Sequence, residues 1–328
     1  MKISRRKSRT PIDPIAQLNA INPWRKDIAQ RIEMTISCHD CDYIPKVKYA
    51  GNVEVCKGKE VQILHNGLKV ISGGYHGDWM KEIITKLNGH HEPQEEKLYY
   101  EVLKRLKGAP TILELGSFWS YYSLWLLYQF KNSRALACEP DPVNRKIGEA
   151  NAAINGLADR ITFIDSAAGN EDGKKIEFTL DSDPSQKKQS IIRSVDSLVK
   201  EKHIKKIDIL HMDVQGVELN ALQGAIESIK EDKVRFIFIS THHYTFSHDP
   251  MTHQKCKQFL LDNGAYIISS HNILESFSGD GLIVASFDKR DKDFKVDVSL
   301  NHSDNSLFRP YEEDIALMIG IAQEAANK

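Results

Sequence analysis

The 328-residue chain lacks the features that mark several classes of protein. No apolar run approaches the ~18 to 20 residues that cross a bilayer, so we expect no membrane span. No apolar segment follows the basic residues 1–9, and the N-terminus therefore does not look like a secretory signal. The 44 basic and 45 acidic residues leave a formal net charge of -1, which is not typical of a nucleic-acid-binding protein.

Cysteine is also scarce in this chain. The five cysteines are Cys38, Cys41, Cys56, Cys138 and Cys256. Their odd number and sparse placement predict reduced thiols and a cytoplasmic location. Cys38 and Cys41 have the spacing of half a zinc site, but the nearby Cys56 and His65 do not make a standard second half. Zinc is therefore an alternative that the spacing leaves open.

The chain has few glycines where a nucleotide-binding loop would need them, but it has the pattern of an α/β domain. Apolar strands alternate with helices between residues 91 and 288, which predicts a mostly parallel sheet with helices on both faces. Segments 265–269 and 281–285 are predicted to form a terminal antiparallel hairpin. We interpret residues 1–90 as a small accessory module that caps the site, binds substrate or builds a homo-oligomer. Residues 289–328 are predicted to be a loop and a helix that pack on the core.

Two local predictions concern surface segments of this domain. Residues 187–190, Lys-Lys-Gln-Ser, are charged and are predicted to form a surface loop. Residues 218–229 are predicted to form one helix.

Ligands of open α/β sheets bind beyond the carboxyl ends of the strands. The first strand, residues 111–115, contains Glu114 and is followed by Gly116 and Ser117. A phosphate-binding loop would usually carry three glycines, whereas this loop has one. The loop therefore argues against NAD and favours a ligand without phosphates, such as S-adenosylmethionine (SAM). Glu114 could accept the ammonium group of its amino-acid part.

The second and third strands also end in acids. Glu139 could accept two hydrogen bonds from a ribose diol, or it could simply lead the helix near Pro142. Asp165, followed by Ser166 and Ala167, could accept a hydrogen bond from an adenine amino group, or it could cap a turn.

The fourth and fifth strands end in candidates for catalysis. Asp213 follows an apolar strand, and Glu218 either assists it or is a first-turn acid that suits the helix dipole. His242 and His243 end the fifth strand as a base, a metal ligand or structural residues. Our hypothesis is that Asp213 acts with His242 or His243 to remove a proton from a hydroxyl acceptor. Asp213, Glu218 and His242 could also hold Mg²⁺ or Mn²⁺.

Several motifs in order resemble the FkbM-type methyltransferases. They are Glu92-Pro93, residues 112–117 with Tyr122-Ser123, residues 138–144, Asn151 with Asn155-Gly156, residues 194–198 and residues 211–218. The resemblance covers residues 92–285. It implies a Rossmann-like class I methyltransferase fold and methyl transfer from SAM, commonly to a hydroxyl of a sugar or natural product. We therefore expect a small-molecule or glycan substrate.

The expected cofactor-binding residues follow the strand ends and these motifs. They are Glu114, Gly116, Ser117, Glu139, Pro140, Asn144, Asp165, Ser166, Ala167 and Asp213. Three departures stand out: Ser120 replaces the second glycine usual in the first loop, Ser240 stands where the family often has an acid, and residues 1–90 are not covered. A nicotinamide-dependent oxidoreductase and a SAM-fold binding protein without catalysis are the alternative functions.

Overall fold

The structure is a computed structural model that describes residues 24–327, with side chains to residue 323. The basic run at residues 1–9 lies outside the described residues. The helices are α1 Ile28–Ile36, α2 Asp78–Lys86, α3 Pro93–Leu103, α4 Tyr121–Gln129, α5 Pro142–Ile154, α6 Val195–Glu201, α7 Glu218–Gln223, α8 Ile226–Lys230, α9 Tyr244–Ser247, α10 Thr252–Asp262 and α11 Tyr311–Asn327. The strands are β1 Val53–Cys56, β2 Lys59–Ile63, β3 Lys69–Ile71, β4 Thr111–Leu115, β5 Arg134–Cys138, β6 Ile161–Ile164, β7 Ala167–Ala168, β8 Lys175–Thr179, β9 Lys187–Arg193, β10 Ile207–Met212, β11 Val234–Thr241, β12 Tyr266–His271 and β13 Gly281–Ser286.

A seven-stranded sheet in the order β12-β13-β11-β10-β4-β5-β6 forms the centre of the fold. The strands from β11 to β6 are parallel, whereas β13 is antiparallel to both β11 and β12. The chain leaves β4 towards β5 and later returns to β10 on its other side. This switch lies between β4 and β10, where ligands of such sheets bind. The predicted α/β sheet with a terminal antiparallel pair is confirmed.

Two apolar cores cover the two faces of this sheet because successive side chains of a strand point to opposite sides. Leu113 and Met212 belong to one core, and Ile112 belongs to the other. The second core also takes in Ile32 and Leu64 from the segment before residue 91. The accessory segment therefore shares a hydrophobic core with the sheet. The boundaries at residues 90 and 288 stay predictions.

Residues 187–190 were predicted to be a surface loop, and that prediction was wrong. They begin β9, which pairs antiparallel with β8 from Lys175 to Thr179. The exposed and less exposed positions of β9 alternate, so Lys187 lies on the solvent face, whereas Lys188 lies on the opposite face and pairs with Asp165.

The helix predicted over residues 218–229 is divided into α7 and α8. The break occurs at Gly224, whose position lies against the backbone of Gly169. A Cβ atom at Gly224 would stand 2.3 Å from the Gly169 carbonyl oxygen. The close approach of these two backbones therefore requires glycine there. Within residues 24–327, no helix has both the length and the apolar character needed to cross a membrane.

Candidate functional site

The loop after β4 is held against the end of β10 by Gly116. This residue has a φ of +73°, and a Cβ atom on it would lie 1.7 Å from the Asp213 carbonyl oxygen. The amides of Gly116 and Ser117 donate hydrogen bonds of 2.9 and 3.0 Å to the Cys138 carbonyl. Only glycine fits this crossing of three strand ends. The loop therefore joins the tips of β4, β5 and β10 at one edge of the sheet.

Glu139 lies at the tip of β5, where the sequence predicts a ribose acceptor. Its carboxylate accepts hydrogen bonds from the amides of Phe118, at 2.9 Å, and Asp141, at 2.7 Å. Burial raises the pKa of Glu139 to about 7, although both amides favour its charged form. The carboxylate therefore faces the loop after β4. Its role towards a ribose stays a prediction.

Asp165 is paired with cations from other elements. Both of its carboxylate oxygens accept hydrogen bonds of 2.8 Å from Lys188 Nζ, and Arg145 Nη2 lies 3.3 Å away. Lys188 also donates to the Pro140 carbonyl at 2.8 Å. An adenine amino group would have to share this carboxylate with Lys188 and Arg145. The role of Asp165 towards adenine stays a prediction.

The remaining predicted cofactor residues are distributed around this edge. Glu114 is buried in β4 and accepts a hydrogen bond from the Ser123 amide at 3.2 Å, and burial raises its pKa. The hydroxyls of Ser117 and Ser166 are buried and have no hydrogen-bond partner among the described residues. Asn144 donates to Asp181 at 3.4 Å. Ala167 lies in β7.

Asp213 and His242 meet at the ends of β10 and β11. His242 Nε2 lies 3.2 Å from Asp213 Oδ1 and 3.7 Å from Asp280 Oδ1, while His242 Nδ1 lies 2.5 Å from Glu218 Oε1. Asp213 Oδ1 and His242 Nε2 are buried and contact each other, but neither has a further hydrogen-bond partner within residues 24–327. Three carboxylates therefore surround one imidazole ring, which faces Asp213 and Asp280 through a single nitrogen.

The charged groups of this cluster shift the pKa values of His242, Asp280 and Asp213 in different directions. Burial lowers the pKa of His242, but the carboxylates of Asp280 and Glu218 outweigh it and raise that pKa well above its usual value. Burial raises the pKa of Asp280 to about 6, with Asp213 adding to the effect and His242 opposing it. Burial also acts on Asp213, but His242 and His211 hold its pKa below the usual value. The imidazole is therefore cationic at neutral pH, and the carboxyl of Asp280 titrates about one pH unit below neutrality.

His243 lies apart from this cluster. Its ring stacks on Phe308 with centroids 4.2 Å apart and an interplanar angle of 4°, and its Nδ1 lies 3.0 Å from the Thr245 hydroxyl. His243 also caps the N-terminus of α9. Adjacent residues at a strand end point to opposite sides, so only one of the two predicted histidines reaches Asp213. The pairing of His243 with Asp213 is not observed among the described residues.

The predicted Mg²⁺ or Mn²⁺ site has an unsuitable geometry. Glu218 contacts Nδ1 of His242, whereas Asp213 contacts Nε2, so the two carboxylates lie on opposite nitrogens of one ring. Within the described part of the chain, these three side chains do not form a group whose ligand atoms lie within 4.8 Å of one another. Glu218 instead fixes the orientation of the His242 ring.

Asp280 was missed by the sequence reasoning, although the sheet topology explains its place. β13 runs antiparallel to β11, and Gly281 at its start pairs with Thr241 at the end of β11. The residue before β13 therefore lies beside the residue after β11, which is His242. Strand β11 carries Ser240 where the FkbM family often has an acid. Asp280 supplies an acid beside the end of that strand.

An aromatic layer from the accessory segment covers the loop after β4. Tyr75 stacks on Trp119 with centroids 4.5 Å apart and an interplanar angle of 2°, and it contacts Phe118 edge to face at 5.0 Å. Burial raises the pKa of the Tyr75 phenol, and the charges of Glu92 and Asp213 reinforce the shift. Residues before position 91 therefore contribute directly to the surroundings of the site.

The comparison with protein families bears on this same region. Residues 108–267 match the family model of the methyltransferase FkbM domain. These residues are an FkbM methyltransferase domain. The resemblance that the motifs indicate is thereby confirmed, and the sheet of the FkbM domain has the Rossmann-like class I methyltransferase fold.

Solved structures with similarity to the chain include three methyltransferases. TrmK of M. capricolum in complex with S-adenosyl-homocysteine is 16% identical, with a TM-score of 0.37 over 61% of this chain and 74% of that chain. A precorrin-6y C5,15-methyltransferase from Geobacter metallireducens is 12% identical, with a TM-score of 0.38 over 58% and 88%. The N-terminal domain of human METTL16 in complex with S-adenosyl-homocysteine is 15% identical, with a TM-score of 0.38 over 60% and 71%. No curated protein matches the sequence.

Proposed function

We propose that this chain is a SAM-dependent O-methyltransferase that acts on a hydroxyl of a sugar, glycan or natural product. The observation that carries the proposal is the pair of buried atoms at the ends of β10 and β11. Asp213 Oδ1 and His242 Nε2 lie 3.2 Å apart as an ion pair, and neither atom has another hydrogen-bond partner among the described residues. Buried polar atoms of this kind usually have partners, and an acceptor hydroxyl would supply one.

The residues at the sheet edge fit SAM. Gly116 keeps the loop after β4 free of a side chain at the crossing of the strands. Glu139 offers a buried carboxylate for a diol, and the buried hydroxyls of Ser117 and Ser120 are without partners in the described region. When bound, SAM supplies a methyl group on a positively charged sulfur. The chain has to hold an acceptor oxygen in line with that methyl group.

The charge arrangement assigns different tasks to the catalytic side chains. His242 is cationic, so its Nε2 is a donor that orients the acceptor oxygen rather than a base that deprotonates it. Asp213 stays ionised and accepts a hydrogen bond from the hydroxyl. Asp280, with a pKa of about 6, is ionised at neutral pH and basic enough to receive the proton. This proposal gives the proton to Asp280, whereas the hypothesis from the sequence was that Asp213 acts with His242 or His243 to remove it.

An exposed aromatic pair borders the cluster and supports a carbohydrate or ring-shaped acceptor. Trp24 is 37% exposed and Phe246 is 41% exposed, and their rings meet edge to face at 6.5 Å. Phe246 also lies edge to face with His242, at 6.1 Å. Sites for small organic ligands are lined mainly by apolar and aromatic groups around a few polar ones. An acceptor lying on this pair would be close to the His242 ring.

The proposal is tested by binding first and turnover second. We expect calorimetry to show SAM binding by the wild type and weaker binding by Glu139→Ala. The wild type should then transfer labelled methyl groups to a hydroxyl in a panel of sugars and glycosides. Asp213→Asn, measured at saturating SAM, should transfer about 10² times more slowly, because the amide no longer offers a charged acceptor to the hydroxyl. Asp262→Asn, a change at the exposed end of α10, is the matched control and should retain full activity.

Four results would contradict the proposal. Absence of SAM binding would remove the cofactor, and methylation confined to amines or thiols would remove the hydroxyl acceptor. Full turnover by Asp213→Asn would remove the proposed site. SAM binding without product from any acceptor would favour a binding protein.

A further inference from the structure

A second cluster of titratable side chains surrounds Glu96, between the accessory segment and α3. Its members come from four separate places: the turn after α1, the end of β2, the residues before α3 and α3 itself. They are Cys41, His65, His90 and Glu96. All four are buried, and the mechanism proposed above uses none of them.

The ligand atoms of this cluster already lie close together. One atom each from Cys41, His90 and Glu96 lies within 4.8 Å of the other two. His65 stacks on His90 with centroids 4.2 Å apart and an interplanar angle of 15°, and its Nδ1 lies 3.8 Å from Glu96 Oε2. Ligand atoms around one tetrahedral zinc ion lie about 3.3 to 3.8 Å apart, as follows from its bond lengths. An ion at this point would replace the hydrogen bonds that Glu96 now accepts from the rings of His90 and His91 or from the Tyr121 hydroxyl.

Two further observations point to a missing ligand. His90 Nε2 is buried and has no hydrogen-bond partner within the described residues. Cys41 is buried, and its only described hydrogen bond is a 3.2 Å contact from Sγ to the Pro93 carbonyl. A buried polar nitrogen without a partner costs free energy. A bound cation would remove that cost.

We propose that Cys41, His90 and Glu96 bind one structural Zn²⁺ ion, with His65 as the nearest fourth ligand. Thiolate, imidazole and carboxylate groups are the ligands that zinc takes in proteins, and a closed set of four is typical of structural sites. On binding, a Zn–S bond forms, the Cys41 S–H bond breaks and the proton passes to solvent. The ion would link the accessory segment to α3. This link lies next to Glu92 and to the aromatic layer that covers the loop after β4.

Cys38 provides a matched control for this site. It lies three residues before Cys41 and is equally buried, but it does not belong to the group of close ligand atoms in the described structure. The C-x₂-C spacing therefore does not act as a pair of ligands here. Cys41 finds its partners across the fold instead.

The experiment uses the full chain, purified without a histidine tag, and measures bound metal by mass spectrometry. We expect about one zinc per chain in the wild type and in Cys38→Ser, and almost none in Cys41→Ser. Wild-type protein loaded with Co²⁺ should show tetrahedral cobalt bands and a thiolate-to-cobalt charge-transfer band. This spectrum decides the matter even if Cys41→Ser fails to fold.

Other results would overturn the proposal. A folded wild type that contains no zinc and takes up neither Zn²⁺ nor Co²⁺ would exclude the site. Loss of zinc from Cys38→Ser as well as Cys41→Ser would move it elsewhere. Cobalt binding without a thiolate band would do the same. These measurements do not depend on SAM binding, so the site is tested separately from the methyltransferase activity.

Discussion

Two carboxylate–histidine clusters in this molecule differ in how completely their polar atoms are paired. At the sheet edge, Asp213 and Asp280 are 30% and 32% exposed in their side chains, and Asp213 Oδ1 and His242 Nε2 have no hydrogen-bond partners besides each other in the described region. Around Glu96, the carboxylate is fully buried and accepts several hydrogen bonds. Unpaired atoms near solvent indicate a site for a substrate, whereas a saturated buried acid indicates structure.

The donors around Glu96 explain its stabilising role. Its Oε1 accepts hydrogen bonds of 2.7 Å from both the amide and the ring of His91, and its Oε2 accepts one of 2.8 Å from Tyr121. His90 also contacts Oε2. Burial disfavours the charged carboxylate, but the two histidines hold the pKa of Glu96 well below its usual value. Glu96 is therefore anionic and ties α3 and α4 to the accessory segment.

The largest expected effect is on stability, from Glu96→Ala. The substitution leaves His90, His91 and Tyr121 buried without their common acceptor, so we expect the free energy of unfolding to fall by about 3 to 5 kcal/mol. Urea unfolding measures the change. Glu101→Ala on the same helix removes a partly exposed pair with Lys104 and a hydrogen bond from the Tyr43 hydroxyl, and it should cost about 1 kcal/mol. Equal losses of unfolding free energy in the two variants would show that the cluster around Glu96 has no special role in stability.

The next effect is on catalysis, from Asp280→Asn. Because Asp280 has a pKa of about 6, it accepts a proton only above that pH, and wild-type kcat should fall as the pH drops through 6. The variant should lose this limb and run about 10² times more slowly at pH 8. A pH profile with saturating SAM and acceptor measures both. If Asp280→Asn still shows the fall of kcat below pH 6, another group causes that fall. The control variant Asp262→Asn should reproduce the wild-type pH profile.

The same substitution should not weaken the fold. The pKa of Asp280 is raised above its unfolded value, so the folded protein binds the proton more tightly and loses stability as the pH rises through 6. An uncharged amide avoids this loss. Urea unfolding at pH 8 should therefore show Asp280→Asn to be at least as stable as the wild type. A large loss of stability would mean that Asp280 supports structure.

The sequence predicts the parallel part of this site well because its strands are apolar and short. Residues that follow such strands lie at one edge of the sheet, and the structure places Gly116, Glu139 and Asp213 there. Asp280 precedes an antiparallel strand, so a search of strand ends alone passes over it. Its position follows only once β13 is known to pair with β11.

Other parts of the molecule could not be predicted from local patterns. The sequence offers His242 and His243 as neighbours, but which one faces Asp213 depends on the side to which β11 turns each residue. The ligands around Glu96 come from separate elements, and no periodicity links Cys41 with His90. Contacts of this kind depend on tertiary packing, which residue spacing does not record.

The smallest expected effect is from Glu218→Gln, which tests how the two clusters use their buried acids. Glu218 is buried like Glu96, but it contacts one imidazole nitrogen and the Gly216 amide. Glutamine retains an acceptor oxygen for Nδ1 but removes the negative charge that favours the cationic ring. We expect kcat to fall about tenfold, which corresponds to about 1.4 kcal/mol, with little change in acceptor KM. The loss should shrink at lower pH, where the His242 ring regains its proton. Glu218→Ala should be slower than Glu218→Gln, because it also removes the acceptor that orients the ring. Equal rates for the two variants, with no pH dependence of the loss, would show that Glu218 only fills space in the core. Its role would then differ from that of Glu96, whose charge holds its partners in place.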